Sequence, residues 1–290
     1  MTALLALASS LLWGTGDFLG GRASRTWHVF TVLFWSQLAA LVLMWLAVGI
    51  GVSTGWLEFS WHAVGYGMLG GFAGVIALAA FYRALATGPM AVVPPIAASG
   101  VVLPVLVGLA TGAAPSVWAL VGLGLAIVGV ILAAAGTGDP ATSTGATRIS
   151  PTTLMLSLVA AVGFALIFVA LDVAAGDSAR TAVLATAGVR LGSFSTLLVA
   201  IALVRIDPTR GVSVPDAARF AFIGILDTGA NLLFAVAAAV GALEVAAVLG
   251  SLYPAVTSGL AHVVLGERLG RIQLVGVACA LVGIVVLAAT

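Results

Sequence analysis

Apolar residues in this chain gather into long runs that stop at Gly, Pro or charged positions. The stops divide it into about ten segments: 3–21, 28–50, 62–82, 89–110, 116–136, 152–175, 181–204, 217–238, 243–264 and 271–289. Each is close to the roughly 20 residues that an α-helix needs to cross a hydrocarbon core at about 1.5 Å rise per residue. The longest polar stretch, GTGDPATSTGATRISP from Gly136 to Pro151, is rich in Gly, Pro, Ser and Thr and falls between the fifth and sixth segments. The pattern predicts an all-α integral membrane protein of about ten transmembrane helices. Residues 1–137 form a first five-helix unit, 138–151 a polar linker and 152–290 a second unit.

The two units resemble each other. LVGLGLAIVGVILAA from Leu120 matches LVGVACALVGIVVLAA from Leu274, so that Gly122 and Gly129 fall on Gly276 and Gly283 at an offset of 154 residues. Upstream, Gly112 falls on Gly266, Gly88 on Gly241 and Gln37 on Arg190. The glycine register carries the argument, because runs of Leu, Val and Ala align by chance. Five helices per repeat force the second repeat to enter the membrane upside down, the inverted plan of many secondary transporters with a central cavity between the repeats.

Charge placement agrees with that layout. All eleven basic residues are Arg; nine flank loops on one side, including Arg22, Arg25, Arg83, Arg205 and Arg268. Only Arg180 lies opposite, and Arg190 lies within a helix. A missed span would scramble every later loop. Inversion also explains why GERLGR (Gly266–Arg271) is charged while its counterpart Gly112–Val117 is not. The positive-inside rule makes the Arg-rich side cytoplasmic and puts both termini outside, in the cell (plasma or inner) membrane.

Composition removes other classes. Hydrophobic residues make up 62% of the chain and charged ones 7%, with mean hydropathy +1.25, whereas a globular domain is about 25% charged. A net charge of +1 builds no nucleic-acid surface. Cys279 stands alone, which excludes a disulfide framework and a Cys-based metal site and reads as a small packing residue. The Ala6-Leu7-Ala8 triplet imitates a signal-peptidase site, but no basic residue precedes it; the segment reads as the first span. Without HExxH, GxSxG or P-loop patterns, enzyme chemistry has no foothold, and neither cofactor nor metal is expected.

Two stretches carry a family likeness: WGTGDFLGG (Trp13–Gly21) and SLYPAVTSGLAHVVLGERLGRIQLVGVACALVGIVVL (Ser251–Leu287). They resemble the EamA-type transporters of the drug/metabolite transporter superfamily, the second through a Pro in the ninth span followed by LGE-R-L, a Gln and a Gly-rich final helix. The resemblance implies a ten-helix carrier working by alternating access, with relatives that export amino acids, drugs or other metabolites. The first half departs from it, with Ala113 where that loop's Glu is expected, which weakens a symmetric role for Glu267.

Ionisable residues inside hydrocarbon are functional candidates unless a partner explains them. Arg190 is about 14 Å from the start of the seventh span and Asp227 about 16 Å from the end of the eighth, on the same face, so adjacent antiparallel helices can join them near the midplane. The pair reads either as structural or as one that opens for a charged substrate or a proton. Asn231, one turn after Asp227, shares its face. Asp17 and Trp13 offer a cavity wall, against an interfacial Asp paired with Arg22 or Arg25. Asp172 reads as interfacial, and Glu267 with Arg268 as a loop-capping pair. Gln37 is the repeat counterpart of Arg190. Tyr253 and Pro254 lie in the span that corresponds to the one carrying Pro94, Pro95 and Pro104, and matched Gly/Pro breaks point to a central site. Gly67-x-x-x-Gly71 and Gly70-x-x-x-Gly74 fit close helix packing within the monomer or across a homodimer.

The sequence thus favours a secondary transporter, with export the expected direction, that moves a small metabolite such as an amino acid or drug-like compound. Its expected pathway comprises Trp13, Asp17, Gln37, Pro95, Arg190, Asp227, Asn231, Tyr253 and Pro254. Proton coupling through Asp227 or Asp17 and uncoupled export fit equally. The competing class is a non-transporting helix-bundle subunit or receptor of a larger complex.

Overall fold

The computed structural model of the chain describes residues 1–103, 116–135, 149–175, 179–240 and 243–289. Pro104, Gly112, Ala113, Gly241, most of the 138–151 linker and the side chain of Asp172 lie outside the described residues.

The first half comprises α1 (Thr2–Ala23), α2 (Val29–Ser53), α3 (Trp61–Thr87), the short α4 (Val93–Ala98) and α5 (Val117–Ala135). The second comprises α6 (Pro151–Ala175), α7 (Ala179–Val204), α8 (Val214–Val240), α9 (Leu243–Gly250), α10 (Tyr253–Leu265) and α11 (Arg271–Ala288). No strand occurs among the described residues. Seven helical stretches there are long and apolar enough to cross a membrane, and Val117–Ala133 and Arg271–Leu287 are shorter apolar helices. The chain is a multi-pass membrane protein.

Local chemistry sets the helix ends. His28 Nδ1 accepts the Phe30 N–H at 3.2 Å to start α2, and Ser60 Oγ accepts the Ala63 N–H at 3.4 Å to start α3. α3 stops at Gly88, which is extended at φ −127° because Pro89 disfavours a helical predecessor. Ser150 Oγ accepts the Thr153 N–H at 3.0 Å ahead of Pro151, the first residue of α6, where a missing N–H costs nothing. Gly266 ends α10 in the left-handed region at φ 68°, which glycine adopts without a Cβ penalty.

Two of the apolar runs, 89–110 and 243–264, the expected fourth and ninth spans, are not continuous helices among the described residues. After α4, the chain tightens into a 3-10 turn at Ser99–Val101. In the ninth span α9 ends at Gly250, the chain turns through Ser251 and Leu252, and α10 begins at Tyr253. Pro254 causes this break: it has no N–H for the Gly250 carbonyl and its ring clashes there.

Contacts between the halves come in matched sets. α1 packs on α8 as α3 packs on α6, α2 on α8 as α7 on α3, and α1 on α10 as α6 on α4; α5 pairs with α11 and α2 with α7. Each contact maps onto another, or onto itself, when the halves are exchanged. Glycines give the directions. A Cβ on Gly122 would meet the backbone of Gly283, and one on Gly129 the backbone of Gly276 and Ala280. Partner numbers fall as α5 advances, so α5 and α11 are antiparallel. Gly70 and Gly74 lie on Ala170 and Ile167 of an antiparallel α6, while Gly188 and Gly192 of a parallel α7 lie on Val64 and Met68 of α3. The two GxxxG pairs of α3 thus serve two neighbours within the monomer, Gly67 and Gly71 facing α7 and Gly70 and Gly74 facing α6.

Valine at Gly129 or Gly283 should cost about 1–3 kcal/mol, because the added atoms meet backbone that cannot yield. Alanine at Gly124, which faces open space, should leave stability unchanged or slightly raised. Thermal unfolding in detergent, read by fluorescence, measures both.

Candidate functional site

Helices from both halves enclose a cavity of about 150 Å³. The first half contributes Trp13 and Asp17 from α1, Gln37 from α2, and Gly74, Val75 and Leu78 from α3. The second contributes Phe164, Ile167 and Leu171 from α6, and Thr186, Val189, Arg190 and Ser193 from α7. Asp227 and Asn231 of α8 and Tyr253 of α10 complete it.

Arg190 Nη2 meets Asp227 Oδ2 at 2.6 Å. The contact uses one guanidinium nitrogen: Arg190 Nε is buried without a hydrogen-bond partner, so the two-bond fork that would satisfy both groups is not formed. Asp227 is about a third exposed to the cavity, with 31% of its side chain accessible against 8% for Arg190. Asn231 Nδ2 donates to the Asp227 carbonyl at 2.7 Å and reaches Oδ1 at 3.5 Å, a weak contact that steadies the carboxylate from the same helix face. Asp17 is not paired with Arg22 or Arg25; it forms no ion pair or hydrogen bond among the described residues. Gln37 is buried and its Oε1 has no partner.

One wall is aromatic. The Trp13 ring lies 5.6 Å from Phe234 and 6.1 Å from Tyr253, the latter edge-on at 67°. Close approach makes this wall: a Cβ on Gly14 would fall on Val256 and the Tyr253 carbonyl, and Thr257 Oγ1 donates to the Gly14 carbonyl at 3.1 Å. α1 therefore lies directly against the start of α10, where Pro254 breaks the span. Pro254 and Pro95 are buried and do not line the cavity. Their effect on it comes through the backbone.

The cavity reaches Leu171 and Thr186, near the α6–α7 connection. The opposite end is filled by Phe18, Leu33, Phe81, Tyr82, Leu85 and Met90, with Tyr82 and Leu85 against Gly20 and Gly21. Beyond this plug, Glu267 joins three elements. Its Oε1 accepts from Arg25 Nη2 at 3.0 Å and its Oε2 from the Ala91 N–H at 3.0 Å. Arg25 also reaches the Gly88 carbonyl at 3.4 Å, and Ser258 Oγ donates to the Ala91 carbonyl at 2.8 Å. The end of α1, the α3–α4 turn and the α10–α11 turn are thereby tied together. Glu267 thus pairs with Arg25 rather than with its neighbour Arg268.

The profile of the EamA-like transporter family matches residues 1–135 and 151–289. The chain belongs to the EamA-like transporter family. It is a membrane transporter of the drug/metabolite type built from two EamA repeats. No match was found among curated proteins. A crystal structure 15% identical to this chain shares its fold, with a TM-score of 0.60 over 98% of this chain and 95% of that one.

Seven residues expected from the sequence to mark an EamA pathway come together in the cavity: Trp13, Asp17, Gln37, Arg190, Asp227, Asn231 and Tyr253. Thr186, Ser193, Phe164 and Ile167 were not expected there. Single hydroxyls and apolar residues within an apolar run carry no signal of which face they take, and Ser193 Oγ is already engaged with the Gly71 carbonyl at 3.0 Å. The Arg25–Glu267 bond was hidden by a separation of 242 residues. Its one sequence signal was the repeat itself, which leaves Glu267 without an acidic counterpart and so in need of a partner elsewhere.

The two members of the central pair should not contribute independently to stability. Arg190→Met or Asp227→Asn should each cost about 2–3 kcal/mol, below the range for a fully buried pair because Asp227 faces the cavity, and the double variant should cost less than the sum. A double-mutant cycle of thermal unfolding in detergent tests this.

Proposed function

We propose that this protein is a secondary transporter that binds one small metabolite in the central cavity, between its halves, and passes it across the cell membrane by alternating access, with export as the direction. The carrying observation is the cavity: polar and aromatic groups from both halves meet deep within a bundle whose outer surface is apolar. A helix-bundle subunit without transport activity has no use for an incompletely paired Arg190 and an Asp17 without a partner among the described residues at that depth, where such groups are costly. The matched helix contacts and the antiparallel α3–α6 and α5–α11 pairings support ten spans arranged as inverted repeats. The broken fourth and ninth spans support a site at the repeat interface. The Arg-bearing connections support a cytoplasmic location for the end carrying Arg25 and Glu267.

On this reading the cavity faces outward, and the aromatic plug with the Arg25–Glu267 tie forms its inner closure. Proteoliposomes carrying the protein should show saturable uptake and efflux from a pooled panel of labelled amino acids, nucleosides and cationic drugs. Arg190→Ala and Asp227→Asn, folded by thermal unfolding, should lose at least nine-tenths of the rate. Absence of transport of every pooled compound by folded wild-type protein would move the reading towards an assembly subunit.

The inner closure makes a separate prediction. In a Cys279→Ser background, a cysteine replacing the fully buried Leu85 should react with an impermeant maleimide from the Arg-rich side. Glu267→Gln, which deletes the ion pair, should raise that reaction rate several-fold; an unchanged rate removes the tie from the gating scheme.

A further inference from the structure

Taken as the transport site, the cavity holds an uneven set of charges. Arg190 is matched by Asp227 in the 2.6 Å pair. Asp17 adds a second carboxylate to the same cavity, without a bonded partner among the described residues. With all three groups ionised, two negative charges face one positive. A region of low dielectric strengthens that imbalance.

The remaining chemistry points the same way. Gln37, 3% exposed, lines the cavity and carries an amide oxygen with no hydrogen-bond partner among the described residues. Leaving a buried acceptor unmet costs more than an ordinary hydrogen bond gains, so an N–H donor from a ligand is what this position lacks. Trp13 stands one helical turn before Asp17 and packs against Tyr253 and Phe234. Indole and phenol faces attract cations. Val75, Leu78, Phe164 and Ile167 supply an apolar opposite wall.

We propose, resting on the reading of this cavity as the transport site, that the substrate is a small organic monocation with an N–H-bearing ammonium group and an apolar or aromatic body. The ammonium group pairs with Asp17 and donates to Gln37 Oε1. The body lies between the Trp13–Tyr253 wall and the Val75, Leu78 and Phe164 side chains. A monocation brings the cavity to neutrality. An anion doubles the excess negative charge, and a zwitterion leaves it unchanged while its carboxylate competes with Asp227 for Arg190.

Three probes of one shape separate these cases: phenethylamine as cation, phenylalanine as zwitterion and 3-phenylpropionate as anion. Equilibrium dialysis of the detergent-purified full chain with each labelled compound should show phenethylamine binding at least tenfold more tightly than the other two. Asp17→Asn should weaken phenethylamine binding at least tenfold, and Asp17→Glu, which keeps the charge, should retain most of it; thermal unfolding confirms that both variants are folded. Tighter binding of phenylalanine or 3-phenylpropionate, no binding of phenethylamine, or phenethylamine binding indifferent to Asp17→Asn would overturn the proposal. Transport from the pooled panel that depends on Arg190 and Asp227 but carries only zwitterions or anions would overturn it while leaving the transporter reading intact. Absence of all transport by folded protein would remove the transporter reading itself.

Discussion

Hydrocarbon supplies no hydrogen-bond partner, and the arrangement of this chain follows from that. Backbone groups must be satisfied within helices, and where a helix is interrupted the freed groups must meet protein or line a wetted space. The ninth span shows the rule in detail. Pro254 ends the helical ladder at Gly250, yet the break is enclosed: the Ser251 hydroxyl donates to the Val248 carbonyl at 2.7 Å, and Thr257 and Ser258 send their hydroxyls to the Gly14 and Ala91 carbonyls. Polar side chains obey the same constraint less completely. Arg190, Asp17 and Gln37 keep unspent bonding capacity, and they keep it at one place, the cavity.

Close backbone approach is the second element of the design. Lipid chains are as apolar as leucine side chains, so helices in a membrane associate through fit rather than through exclusion of water. Here the fit is made by glycine: Gly122 on Gly283 and Gly129 on Gly276 join the last helix of each half, and Gly224 receives the Ser36 backbone between α8 and α2. Four of the glycines that register the repeat in the sequence, Gly122, Gly129, Gly276 and Gly283, are the ones that join its copies. A helix crossing its own counterpart requires this, because one small-residue pattern then serves both sides of the contact.

How much could be read without coordinates follows the same physics. Span existence was legible because hydrocarbon thickness fixes a length. Arg190 and Asp227 were legible as partners because each is conspicuous in an apolar run and their depths agree. The matched proline-bearing spans were legible as interrupted helices, but not the result that Pro95 and Pro254 are buried away from the cavity; proline marks where a ladder breaks, not which way the turn faces. The Arg25–Glu267 bond and the roles of Thr186 and Ser193 depend on which elements meet in three dimensions, and local pattern carries no record of that. Glu267 was read with Arg268 because sequence neighbours were the only partners in view.

The Arg25–Glu267 tie and the groups in the cavity are carried by the same two helices, which bears on how one can influence the other. Arg25 follows α1, the helix that carries Trp13 and Asp17, eight residues beyond Asp17 in sequence. Glu267 follows α10, which begins at Tyr253. Between the tie and the aromatic wall, the two helices stay in contact through Thr257 and Gly14. On the proposed transport reading, release of Arg25 from Glu267 frees one end of the α1–α10 contact, and that change moves Trp13 and Asp17 relative to Tyr253. Conversely, a ligand that draws Trp13, Asp17 and Tyr253 together favours one tilt of the pair over the other. A site and a closure built on the same two helices need no longer relay, and the free energy that couples them is the ligand's difference in affinity for the two tilts.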